Sequence, residues 1–76
     1  MINELDCIIL TTDLPEYGLT AEDIGTVVMV HQNGQGFEVE FVTLDEETLA
    51  VASLYASQVR PVIHCEIAHA RLLAAA

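Results

Sequence analysis

Between residues 37 and 42 the chain reads "FEVEFV", a strict alternation in which Phe37, Val39 and Phe41 share one face and Glu38 and Glu40 the other. A period of two is the mark of a half-buried strand, so these three apolar side chains define one face of the core. Other short apolar runs repeat the theme at intervals of about ten residues. They predict strands over 5–10 ("LDCIIL"), 25–31 ("GTVVMVH"), 49–54 ("LAVASL") and 60–64 ("RPVIH"). Layered against Phe37, Val39 and Phe41, the second strand offers either Thr26, Val28 and Val30 or Val27 and Met29; the pattern leaves that register open.

The connections carry turn chemistry. Residues 11–24 form a long loop in which Pro15 cannot donate to a ladder and Gly18 tolerates unusual backbone angles; Thr20 and Asp23 fit a capping box loosely. Asn33-Gly34 is a strong hairpin signal, because both residues tolerate positive φ. An acidic turn follows at "LDEET", and "YASQV" is short enough for a single tight turn before the fifth strand, whose Pro61 suits an edge. The tail "CEIAHARLLAAA" is rich in helix formers and places Ile67, Ala70 and Leu72 or Leu73 near one face. The reading is an all-β chain, with residues 1–64 as the domain and 65–76 as a short helical or frayed tail that docks, pairs or frays because so short a helix is marginal alone.

Composition narrows the class. At 76 residues there is room for one small domain, and 53% hydrophobic content excludes disorder through low hydrophobicity. Apolar runs such as residues 7–10 and 27–30 are far too short to span a bilayer, and the acidic start "MINELDC" lacks a secretory signal's basic region. A cytoplasmic protein without membrane contact is expected. Twelve acids face only Arg60 and Arg71, for a formal charge of −10, so nucleic acid, whose phosphates require lysine and arginine, is excluded as a partner. Such a surface either solubilises the chain or steers it to a basic protein. Cys7 and Cys65 are expected to be reduced and packed as small apolar residues.

Enzyme chemistry finds little support. His64, Cys65 and His69, with Cys7, offer zinc-type donors but at a spacing that matches no metal motif, so no metal or cofactor is expected. Cys65 beside His64 on a strand would point to the opposite face, away from any base. The acid pairs Asp13/Glu16, Glu22/Asp23 and Glu46/Glu47 lie in turns where burial cannot raise their pKa, and "NGQG" lacks the lysine and helix of a phosphate loop.

The element order strand, long loop, hairpin, strand, one-turn helix, short last strand resembles an SH3-like barrel, and "SLYASQVRPV" (residues 53–62) resembles the part of that fold where a short 3-10 turn joins the last two strands. The pieces D-L-P-E-x-G-L and D-x-G-T-V-V, within a stretch covering about residues 4–63, are similar to the small bacterial family of domain of unknown function 4926. The resemblance implies a five-stranded SH3-like barrel of bacterial origin; the family carries no agreed activity or catalytic residue. In SH3-like barrels the long first loop and the hairpin loop border a groove, which implies a partner-binding surface of Glu16, Tyr17, Glu22, Asp23, Glu46 and Tyr55 here. Tyrosines supply rigid contact area and the acids favour a basic ligand. Three functions follow as expectations: a non-enzymatic protein-binding module acting as an acidic antitoxin or immunity-like partner of a basic protein; an accessory or assembly subunit of a larger enzyme complex; and a small metal- or thiol-dependent enzyme. A homodimer through a strand edge or the tail is a further arrangement. The terminal "LLAAA" also resembles a bacterial degradation tag.

Overall fold

The structure, a computed structural model, describes residues 1–73. It is all-β. Five strands, β1 (Cys7–Leu10), β2 (Ile24–His31), β3 (Gly36–Val42), β4 (Thr48–Tyr55) and β5 (Val59–Pro61), form one antiparallel open sheet in the order β4-β3-β2-β1-β5. Short 3-10 turns at Pro15–Tyr17, Gln32–Gly34 and Ala56–Gln58 punctuate it.

The alternation in β3 puts Phe37, Val39 and Phe41 in the core as expected, each at most 3% exposed. The facing register of β2 is neither of the two regular alternatives. Val27 pairs with Val39 and Met29 with Glu38, so Val28 is an extra residue, a bulge that flips the alternation. Val27 therefore points inward before the bulge and Val30 packs against the core after it, while Val28 and Met29 face solvent. A second irregularity between Phe41 and Val42 bends the start of β4.

These bends matter to the shape. Tyr55 and Val59 are joined by three residues, a path of at most ~14 Å, whereas four strand spacings across a flat sheet would separate β4 from β5 by ~19 Å. The sheet is therefore curled, and its concave side encloses a single core to which Ile8, Leu10, Val27, Phe41, Ala52, Leu54 and Val59 contribute. The long first loop adds to that core. Leu14 and Leu19 are 5% and 3% exposed and exchange two backbone hydrogen bonds of 2.9 and 3.1 Å, closing the loop around the Pro15–Tyr17 turn like a plug.

Four local expectations need correction. The first strand starts at Cys7: Leu5, at a φ of 71°, departs from extended backbone, although its N–H still donates to the Val27 carbonyl at 2.7 Å. The fifth strand is Val59–Pro61 rather than 60–64. Cys7 and Cys65 are free and exposed rather than packed: with Ile8 turned inward, alternation turns Cys7 outward, and Cys65 sits in a turn at φ 66°. Lastly, residues 65–73 contain no helix. Helix propensity of alanine and leucine is a weak preference in so short a segment, and Ile67 and Leu72, 87% and 95% exposed, find no surface to bury a helical face against. Side-chain anchors hold the segment in an irregular path instead. The end of the expected helix and of the tag-like "LLAAA", residues 74–76, lies outside the described residues.

Candidate functional site

The anchors of that tail converge on the loop where the acidic groove was expected. Asp23, just before β2, is held by its own loop: the Thr20 N–H donates to Asp23 Oδ2 at 2.9 Å and the Asp23 N–H returns to the Thr20 carbonyl at 3.1 Å. The side-chain bond is one half of a capping box, the other half being replaced by a backbone turn bond, and no helix follows. Asp13 accepts the Ala21 N–H at 2.9 Å, so both acids shape the loop. Onto this frame comes Arg71. Its Nε donates to Asp23 Oδ1 at 2.8 Å, its Nη2 pairs with Asp23 Oδ2, and the same Nη2 donates to the Gly18 carbonyl at 3.2 Å. Burial alone would raise the Asp23 carboxyl; the Arg71 guanidinium and the Thr20 N–H outweigh it and hold the group below the ordinary aspartate value.

A second arginine clamp lies beside it. Arg60 of β5 grips Glu66 bidentately, Nη1 to Oε1 at 2.9 Å and Nη2 to Oε2 at 2.6 Å, and Glu66 Oε1 also accepts the Ile63 N–H at 2.8 Å. The guanidinium first, then the backbone donor, lowers the Glu66 carboxyl to about 2. Residues 63–73 thus form a strap along the β5 edge. Between strap and sheet runs a shallow cleft with Ile9, Ile24 and Val62 on the sheet side and Glu66 to His69 on the other. Ile9 lies outside the core cluster, as alternation with Ile8 and Leu10 requires, yet is only 5% exposed among Ile24, Arg60 and the strap.

The six residues expected to share one groove fall into three places. Glu16 and Tyr17 sit exposed on the Pro15–Tyr17 turn, next to the Gly18 carbonyl that Arg71 reaches. Glu22, in the left-handed region at φ 79°, lines the cleft, and Asp23 holds Arg71. Tyr55 is 74% exposed at the far end of β4, beside Gly36 and the β2–β3 hairpin. Glu46, at φ 72° in the β3–β4 turn, is at the other end of that strand, on the order of 20 Å of extended chain away. The loop acids and Tyr17 therefore form one surface; Glu46 and Tyr55 stand apart from each other at opposite ends of the β3–β4 hairpin. Arg60, Glu66 and Arg71 were not anticipated as site residues. Their signal was present: with two arginines among twelve acids, each arginine has many carboxylates to meet.

Among the described residues no three or more His, Cys, Asp or Glu side chains are grouped to hold a metal ion, and His64, Cys65, His69 and Cys7 do not converge. No helix of the described residues is long and apolar enough to cross a membrane. A separate polar cluster on the outer face joins His31 Nε2 and Glu38 Oε2 at 2.9 Å, with the Ser53 hydroxyl donating to Glu38; Ser53 first and His31 second hold Glu38 below its ordinary value.

Fold and site together define a small acidic all-β domain, one curled five-stranded antiparallel sheet carrying an ion-paired strap along its β5 edge. The chain belongs to the family described as Domain of unknown function (DUF4926), which matches residues 4–61. No curated protein and no solved structure matches it. The family match ends at Pro61, the last residue of β5, so the strap lies outside it.

Proposed function

We propose that this protein is a non-enzymatic, cytoplasmic protein-binding module of SH3-like barrel type, an acidic antitoxin or immunity-like partner that covers a basic protein. The observation that carries the reading is the distribution of charge. Both arginines are occupied within the chain, Arg60 by Glu66 and Arg71 by Asp23, so the formal charge of −10 rests on acids with no internal cation to neutralise them. A one-signed surface of this kind accelerates and orients encounter with a positively charged partner and repels nucleic acid. The barrel reading is supported by the strand order and by the Ala56–Gln58 turn that links the two edge strands.

The accessory-subunit alternative is favoured by a different feature. The edge strand Thr48–Tyr55 carries no charge and no proline, and exposes Leu49, Val51 and Tyr55, an edge open to pairing with another chain's strand. The test is co-expression with the product of the neighbouring gene. An antitoxin rescues growth from a basic product that is toxic alone, with binding that weakens steeply as salt rises. A non-toxic partner whose complex persists in high salt supports the subunit reading and overturns the antitoxin one.

A further inference from the structure

We propose that residues 63–73 are an autoinhibitory strap, in which the Arg71 guanidinium on Asp23 and Gly18 occupies the seat that an arginine of the basic partner takes on binding; the inference rests on the basic-partner reading above. The seat is built before Arg71 arrives. The Asp23 carboxylate, with 17% of its side chain accessible, is fixed by the Thr20 N–H, and Gly18, whose N–H closes the 3-10 turn onto the Pro15 carbonyl, presents its own carbonyl beside it. A carboxylate and a carbonyl arranged together suit the planar fork of a guanidinium better than the point charge of a lysine.

Nothing apolar locks the strap in place. Every residue from 63 to 72 is exposed, and its attachments to the body are the Arg60–Glu66 and Arg71–Asp23 pairs with the Gly18 contact. Solvent-exposed ion pairs are weak and screened by salt, and they work here against the chain entropy of ordering the segment. The closed strap is thus only modestly preferred, which is what a displaceable element requires. Opening it uncovers Ile9, buried at 5% exposure in the closed state, which then joins the already half-exposed Ile24 and Val62 in an apolar strip beside the freed carboxylate. An incoming segment that carries an arginine followed by an apolar residue would then replace both the ion pair and the cover.

The test compares the full wild-type chain with its R71Q variant, using an acetylated, amidated peptide of residues 69–73 ("HARLL") and its Arg-to-Gln counterpart, followed by amide chemical shifts at Gly18 and Asp23. Releasing the internal competitor should tighten binding of the arginine peptide to R71Q by about tenfold, the ratio expected for a closed state favoured by about that factor. D23N introduced into R71Q should abolish the gain, with unchanged far-UV circular dichroism showing that the fold persists. Equal affinity of wild type and R71Q, or equal binding of the Gln peptide, overturns the proposal. The neighbouring basic protein separates the two readings: if it binds wild type and R71Q equally the strap falls and the partner reading stands, whereas if it binds neither chain while the peptide discriminates between them, the partner reading falls.

Discussion

Gly25 is the position at which the packing of this sheet can be tested most sharply. It lies early in β2 opposite Ile8, is buried, and does not adopt a left-handed φ, so an alanine there meets no backbone penalty. On backbone grounds alone Gly25→Ala would stabilise a strand interior by roughly 0.5–1 kcal/mol. The structure reverses the sign. An added Cβ would stand 2.5 Å from Val39 Cγ1 and 2.8 and 3.0 Å from Phe41 Cε1 and Cδ1, about an ångström inside ordinary carbon contact. Val39 is 0% and Phe41 2% exposed, so neither can move without displacing the core. Overpacking of this kind costs about 1–3 kcal/mol, and the upper half applies where both clashing side chains are fully buried, leaving a net loss of roughly 1–2.5 kcal/mol after the backbone gain. At ~4–8 °C per kcal/mol for a domain of this size, Tm should fall by several degrees in a thermal melt followed by circular dichroism. Val39→Ala in the G25A background should lose less than the sum of the two single variants, because it removes the nearest clashing atom. A G25A chain at least as stable as wild type, or strictly additive substitutions, would refute the close approach of β2 to Val39 and Phe41.

Gly34 provides the contrast: its φ is 96° and nothing lies within 4 Å of an added Cβ, so Gly34→Ala should cost about 1–2 kcal/mol in urea unfolding through backbone strain alone, and adding V39A should leave that cost unchanged. Leu19→Ala should destabilise by roughly 2–5 kcal/mol because Leu19 plugs the core from the first loop, whereas replacing Glu16 and Tyr17 together, both exposed, should move Tm little while weakening capture of the basic partner; a large Tm loss in the latter pair would place them in the fold instead. The Glu66 carboxyl, followed by carbon-detected NMR, should titrate near 2, and higher in R60Q, which removes the largest cause of the lowering and leaves the Ile63 N–H. Because its folded value is depressed, the Arg60–Glu66 contribution is fully present above about 4.5 and is lost as pH falls toward 2, so the Ile63 amide, which donates to Glu66, should lose protection relative to its intrinsic exchange rate across that window in wild type. An unshifted Glu66 midpoint in wild type would remove the clamp.

Much of this architecture could be read from the chain because its causes are local. Strict alternation in "FEVEFV" can bury only one set of side chains, Asn33 and Gly34 take up positive φ at 59° and 96° without help from distant residues, and a three-residue turn at Ala56–Gln58 needs only its own short span, capped by Gln58 on the Tyr55 N–H at 2.8 Å. Elsewhere local pattern competed with contacts it could not express. "GTVVMVH" is a featureless run of β-branched residues, and it is the cross-strand pairing with β3 that inserts the bulge at Val28 and selects Val27 and Val30 for the core. "CEIAHARLL" has the composition of a helix, but Arg60 and Asp23, reached only once β5 and the first loop are in place, seize Glu66 and Arg71 and draw the segment out along the sheet edge. An acidic all-β domain, its principal core face and its turns were legible in the chain, since these follow from periodicity, charge count and backbone tolerance. Which loop acids share a surface, that Glu46 and Tyr55 stand apart, and that both arginines tie the tail to the body came from the tertiary structure, since those outcomes depend on which distant residues the curled sheet brings within hydrogen-bonding reach.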